Sequence, residues 1–592
     1  MTKRVSRVLG GFGVMLGISV PALAELPPSL DRVPEDAAIV VSVRNLAELH
    51  ERAGALFELI QVGDSQQVLG MAQMILSTPG LDETGSIALA ILPGDDGTVD
   101  FDSEAPPMVL IVPVDNFGDL AQALDGRAAD NGLFDIELMG EEAFLRDLGG
   151  GWAALSPNGE LLEDFEGRAG NLRSHERRFG SAGNEIADHS SIFVAVDIVS
   201  GAPYIREGVE GFQGQMGMMA MMMGEQAQGM EQFGQLIGDF TDQLIEQGEV
   251  VLMGVGMSDT GLSIDLGAQF RAGTEMARMM DADADARDLL RHVPDMPFLF
   301  AASVDTTSPA VKQMFGKLAD LGAQMNPAGG EMMGFGNFLK MIDDQDGMAF
   351  VMGNPPAIMM GGLFANTLQF TKTSDPAALL DTTSTMMSEL NGMEQQGISF
   401  STSFKRDATT VEGVPVHSWG MKMQFDPADP GAQQAQMGMM MIFGPQGGPS
   451  GYYAAIDEGL ITTFSQSTPL MSQAIEAARA GNGLGAQASI RNAAGQLPGN
   501  SVVQVYIGID EIMQQVGGVM AMMGGGLDIE IPQNMGPIAI GASMQDGGFV
   551  GRIYMPEGVV KLIGEFAKMA DDGGDWEDDG WEEDDDEGSP RF

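Results

Sequence analysis

Not one of the 592 residues is a cysteine. Disulfides, thiolate metal sites, cysteine nucleophiles and a lipid anchor through an N-terminal cysteine are thereby excluded, so the fold must stand on its core. Histidine is nearly as scarce. His50, His175, His189, His292 and His417 are the whole complement, and no two share the i, i+4 spacing that sets two ligands on one helix face. HExxH, GxSxG and GxxxxGK[ST] are all missing. "GNGLGA" at Gly481 has suitable glycines but lies between a helical stretch and a polar one, not after a strand, which denies it the dinucleotide reading. Basic residues number 30 against 84 acids, a formal charge of −54. Nucleic acid and anionic lipid both attract proteins through positive potential, so neither is an expected partner.

What is present begins with an export signal. Lys3, Arg4 and Arg7 precede a mostly apolar stretch from Val8 to Val20, and Ala22-Leu23-Ala24 forms a small-x-small cleavage site. Removal of residues 1–24 is expected to release a periplasmic or secreted chain and, with three cations lost, to take the charge to −57. No later stretch is long and uninterrupted enough to cross a bilayer, so no integral span is expected after signal cleavage. The other end, 571–592, holds twelve acids and one arginine. It cannot bury enough apolar surface to order, and is expected to be a disordered tail or a strip for a basic partner anchored by Trp576 and Trp581.

One pattern recurs four times: a Pro or Asp, an apolar strand, a polar residue, then a helix. It opens "VPEDAAIVVSVRNLAEL" at Val33, "IADHSSIFVAVDIVSGAP" at Ile186, "VPDMPFLFAASVDTTSPA" at Val293 and "LPGNSVVQVYIGIDEI" at Leu497. Strand character rests on β-branched and aromatic content, and helix character on Leu46, Leu49, Ala53 and Leu56 sharing one face. The first and third units are 260 residues apart, as are the neighbourhoods of Asp115 and Asp375. "GWAALSPNGELL" from Gly151 parallels "GYYAAIDEGLIT" from Gly451, with turns expected at Asn158-Gly159 and Glu458-Gly459. "MSDTGLSIDLGAQF" parallels "MQDGGFVGRIYM", each followed by a helix (Thr274 to Met280, Gly558 to Met569). The expected fold is α+β in two tandem homologous halves, 26–280 and 293–570, each a mostly antiparallel sheet with covering helices. An insert lies near 426–450, and 281–292 reads as a solvated linker. Its Asp281, Asp283 and Asp285 imitate a calcium loop, but Ala286 and His292 stand where glycine and glutamate are required. The polar residues after the strands, Asn45, Asp197, Asp305 and Asp510, read as helix caps rather than catalysts.

Methionine is the abundant oddity, 46 residues with six in "QMGMMAMMMG" from Gln215. Copper(I) favours such thioethers. The tracts recur, however, at the ends of the helices after the second and fourth strands, beside Gly208, Gly211, Gly214 and Gly217 or Gly517 and Gly518. Unbranched methionine fills irregular space next to glycine, so core packing is the first expectation. Should the tracts instead face a ligand, Met218, Met219, Met222, Met223, Met520, Met522 and Met523 are the candidate binding residues.

The units from Val33 and Leu497 resemble the opening of a group of uncharacterised exported bacterial proteins. There, a Pro-x-Asp…Val-x-Val-x-Asp…Leu unit of unknown function recurs after a signal peptide. Arg44-Asn45 departs from that pattern. The resemblance implies export and a duplicated α+β architecture, with no activity, cofactor or site residue. With no catalytic constellation, the expected function is a non-enzymatic envelope protein. It would bind an apolar ligand or an envelope protein through a cleft or methionine-rich groove. Copper handling through the methionines and an unrecognised hydrolase are the alternatives.

Overall fold

A computed structural model describes residues 26–572, apart from 61–64, 95–96, 100–106, 130, 139, 224–227, 283, 315, 317–344, 356–361, 396–397, 426–431, 445–446, 523–531 and 533. The expected signal peptide, the tail from 573, the "EMMGFG" tract at 331–336 and Met523 lie outside the described residues.

The β-branched runs form strands as expected. In the first part of the chain these are β1 (Ile39–Val43), β2 (Ile87–Ile91), β3 (Met108–Pro113), β4 (Arg127–Ala128), β5 (Phe134–Leu138), β6 (Glu141–Asp147), β7 (Trp152–Ser156), β8 (Ile192–Asp197), β9 (Gly248–Ser258) and β10 (Gly261–Phe270). There follow β11 (Phe298–Asp305), β12 (Gly347–Gly353), β13 (Thr367–Lys372), β14 (Glu394–Gln395), β15 (Ile398–Val411), β16 (Val414–Phe425), β17 (Ser450–Ile456), β18 (Gly459–Thr463), β19 (Ser501–Ile507), β20 (Ile538–Gln545) and β21 (Gly548–Pro556). All join one antiparallel sheet. From edge to edge it runs β4-β5-β6-β7-β3-β2-β1-β8-β9-β10, then β21-β20-β19-β11-β12-β13-β18-β17-β16-β15-β14. With helices packed on an antiparallel sheet, the fold class is α+β.

The order reads alike outward from the centre. On one side the hairpin β9–β10 is followed by β8, β1, β2, β3 and β7; on the other, β20–β21 is followed by β19, β11, β12, β13 and β18. β10 and β21 themselves pair antiparallel, from Gly261 opposite Pro556 to Gln269 opposite Gly548.

Alternation along each strand gives the sheet two faces. On the first face α2 (Leu172–His189) lays His175, Phe179 and Ile186 onto Ala88, Phe193, Leu252 and Val550. Farther along, α5 (Thr468–Ala480) lays Met471, Ala474 and Ile475 onto Ala301, Val351 and Phe370. Helices on the second face leave from the two ends of the strands. α1 (Leu46–Ile60), α6 (Ile509–Met522) and α7 (Glu557–Asp572) gather at one end, α1 packing with Val43 and Ile192, and α6 and α7 with Ile538. α3 (Ile198–Met223) and α4 (Gln228–Gln247) stand at the other, Leu244 joining a cluster with Ala268, Val304 and Met544.

Local chemistry starts the helices. Asn45 accepts from the Glu48 N–H, Asp197 from the Ser200 N–H and Asp375 from the Ala378 N–H, each cap contributing about 1 kcal/mol. Asp305 closes a turn through the Thr307 N–H. Asp510 departs from expectation: it lies inside the first turn of α6 and accepts from the Met535 N–H.

Three further expectations are corrected. Asn158-Gly159 is not a hairpin turn; Asn158 caps the helix Gly159–Asp164 through the Leu161 N–H, whereas a hairpin turn does form at the second site, at Asp457-Glu458, one residue before the expected pair. Lying beside β3, β7 ("WAALS") holds the place in the strand order that β18 ("GLITT"), and not β17 ("GYYAAI"), holds beside β13. Residues 281–292 are no solvated linker: Ala282, Ala284 and Ala286 are buried, and the Ala282 and Ala286 N–H groups donate to the Met544 and Ser501 carbonyls. The 426–450 stretch carries a helix, Ala432–Phe443, outside the sheet.

His50 and His292 are both half-buried. His292 stacks on Phe370, ring centroids 4.7 Å apart, with Nδ1 3.1 Å from the Ala478 carbonyl. His175 is fully buried, its Nε2 3.0 Å from the Val33 carbonyl. Burial disfavours the imidazolium and lowers the His175 pKa from its ordinary 6.5. A depressed folded-state value gives stability that is present above 6.5 and lost as pH falls through the folded value. Urea midpoints should therefore drop on acidification below pH 6.5, and His175→Phe should flatten that part of the profile. An unchanged profile in the variant would place the acid sensitivity elsewhere.

Candidate binding surfaces at the central strands

β10 and β21 carry one charge each, Asp265 and Arg552, and register places them opposite one another. Both side chains are 0 % exposed. Arg552 Nε donates to Asp265 Oδ1 at 2.5 Å and Nη2 to Oδ2 at 3.2 Å, a bidentate geometry. Nη1 donates to the Gln496 carbonyl at 3.0 Å and lies 3.8 Å from Glu185, while Ser190 Oγ donates to Asp265 at 3.4 Å. Burial raises the Asp265 pKa; Arg552 opposes the rise without cancelling it. Each guanidinium nitrogen and both carboxylate oxygens thus have a hydrogen-bond partner within the protein.

Above it, on the first face, a cavity of about 280 Å³ opens between α2 and β20–β21. Its lining is mixed: Glu185 and Asp188 bring acidic groups, Ser181, Ser543 and Gln545 neutral polar ones, and Ala182 and Val550 apolar surface. No methionine lines this cleft. Among the described residues no group of three His, Asp or Glu side chains could hold a metal ion.

The second face of the same strands is apolar throughout. One cross-strand row runs Val194, Met253, Leu266, Gly551, Ala542, Val503; the next runs Ile192, Val255, Ile264, Ile553, Ile540, Val505. At about 4.8 Å per strand, six strands make a floor about 24 Å across. Its middle is open: Met253 is 45 %, Leu266 51 %, Ile264 36 % and Ile553 40 % exposed. Helices at the two strand ends, α1, α6 and α7 at one and α4 at the other, pack on this face and bound the floor as a trough.

No family model and no curated protein matches the chain. Two solved structures do: crystal form IV of TP0453, at 9 % identity, and crystal form III of TP0453, at 7 %. Each match covers 42 % of this chain and 81 % of the other, with a TM-score of 0.21.

Met218, on the last turns of α3, is 67 % exposed, which corrects the expectation of core packing there. The side chains of Met219, Met222, Met223, Met520 and Met522 lie outside the described residues, though all five positions are helical. Gly208, Gly211, Gly214 and Gly217 face open space, so they bring no backbone close. Close approach comes instead from α4, where Gln213 of α3 reaches across Gly238 and donates to the Gly234 carbonyl at 2.8 Å. Met253, Ile264, Leu266 and Ile553 were not foreseen as candidates. Their signal was present: Leu262, Ile264, Leu266 and Ala268 in β10 and Phe549, Ile553 and Met555 in β21 fall on alternate positions, the period-2 pattern of a face that calls for cover.

Proposed function

We propose that this chain is an exported, non-enzymatic envelope protein that holds an apolar ligand, or the apolar face of an envelope partner, in the trough. The observation that carries this reading is the exposed block of Met253, Ile264, Leu266 and Ile553 on adjacent strands. Scattered surface apolar residues are ordinary, but contiguous ones walled by helices mark interaction surfaces. Supporting the non-enzymatic part, the one ion pair among the described residues with both side chains fully buried is hydrogen-bonded to itself and its neighbours. Two homologous halves, 26–280 and 293–570, are part of the same reading, supported by strand order that repeats outward from β10 and β21.

A neutral solvatochromic dye such as Nile red tests it, since an anionic probe would be repelled by the acidic surface. The mature protein should bind the dye with a blue shift. Leu266→Gln with Ile553→Gln should weaken binding at least about tenfold, roughly the loss of one well-buried apolar side chain from the complex. Folding stability should move by only about 0.5 kcal/mol, because neither side chain is buried. Met218→Gln should leave dye binding unchanged. Equal binding by the double variant and the parent would remove the trough from consideration.

A further inference from the structure

The seam between β10 and β21 has a property that pairing alone does not require. Asp265 and Arg552 lie 287 positions apart, as do Asp259 and Asp546 in the turns of the β9–β10 and β20–β21 hairpins. Counted from their turns, Asp265 and Arg552 therefore occupy the same place, and they face one another. The local twofold axis of the seam passes between them. Any residue on such an axis meets its own equivalent, so two copies of β10 paired in this register would oppose Asp265 to Asp265. Two copies of β21 would oppose Arg552 to Arg552.

The flanking positions would not prevent either mistake. β10 on β10 would set Ile264 against Leu266 and Ser263 against Gly267; β21 on β21 would set Gly551 against Ile553 and Val550 against Tyr554. All are small or apolar pairs that a sheet accepts. Only the axial position discriminates, and it does so where water is excluded and like charges are least tolerable.

We infer that the Asp265–Arg552 juxtaposition makes the β10 edge accept β21 and reject a second copy of itself. The interaction surface is the seam, its fitting partner is β21 of the same chain, and the excluded partner is a second copy of this protein. The inference needs the antiparallel register, not common descent of the halves. It predicts a role in partner choice rather than in stability, since apolar replacements of buried ion pairs are often neutral or stabilising.

Full-length mature protein, unfolded in urea and refolded over a wide range of protein concentration, tests this by light scattering after size exclusion. The parent should refold to one size throughout. D265L/R552M should melt no lower than the parent, yet give dimers and larger species that increase with concentration; D265R/R552D should return to the parent's single size. Monomer alone from D265L/R552M, or oligomers from D265R/R552D matching those of D265L/R552M, overturns the inference. A second arm covers a poorly folding D265L/R552M. D265R and R552D, each with like charges on the axis, should refold badly alone and yield a soluble one-to-one complex when refolded together. No gain on mixing also overturns it.

Discussion

Arg552→Ala should cost the folded protein about 3–5 kcal/mol at neutral pH, the penalty of leaving a buried charge without its partner. Asp265 would keep only the 3.4 Å contact from Ser190 Oγ, at a position with no solvent access. Glu185, 3.8 Å from Arg552 Nη1 in the parent, would become a like charge nearby. The sign of the pH dependence follows. Burial already holds the Asp265 pKa above 3.8, and without Arg552 nothing of comparable strength opposes that rise. A carboxyl with a raised folded-state value gives stability that is present below 3.8 and lost as pH climbs through the folded value. The deficit of Arg552→Ala relative to the parent should therefore be largest near pH 7 and shrink as pH falls toward 4. Urea unfolding followed by tryptophan fluorescence at several pH values measures it. A deficit independent of pH would mean that lost packing of the arginine stem, not the stranded carboxylate, dominates.

How much of this could be read from the chain depends on whether the deciding force is local. Caps are local, so Asn45 and Asp197 were legible as helix starts beside their strands, while Asp305 and Asp510, in the same sequence setting, serve a turn and a loop instead. Asn158-Gly159 was not, because the same dipeptide serves a hairpin turn and a helix N-terminus, and only the neighbouring strand order chooses. The stretch "DADADA" from Asp281 carried a signal that its charge concealed. Alanines at every second position are the period of an extended segment with one buried side, and Ala282, Ala284 and Ala286 indeed turn inward. The axial pair was half visible. One aspartate in "GLSIDLGAQF" and one arginine in "GFVGRIYMP" interrupt apolar strands at matching positions, but their meeting is a fact of register across 287 residues. The trough was least legible, since the exposure of Leu266 depends on where helices from both ends of the strands stop. Methionine clusters drew attention by composition, yet composition does not say which way a helix faces.

Gly483→Ala should be the most damaging single methyl addition in the α5 region, at more than about 3 kcal/mol, while Gly481→Ala should cost about 1 kcal/mol. Both belong to "GNGLGA", whose glycines have separate physical causes. Gly481 ends α5 with φ 60°, a left-handed cap whose N–H donates to the Ala477 carbonyl at 2.9 Å. A side chain there would meet nothing within 4 Å, so only backbone conformation is penalised, and Gly481→Asn should recover part of the loss. Gly483 differs: its backbone is not left-handed, but a Cβ would sit 1.8 Å from the Val293 carbonyl oxygen. That oxygen cannot move away cheaply. It accepts from the Leu484 N–H at 2.9 Å, the Gly483 N–H donates to the Arg291 carbonyl at 2.9 Å, and Val293 and Leu484 are both 0 % exposed. Relief requires separating two backbone segments 190 residues apart in sequence that share one core with α5. Urea midpoints of the two alanine variants compare them directly. Equal losses would show that the close approach at Gly483 yields more readily than its two hydrogen bonds imply.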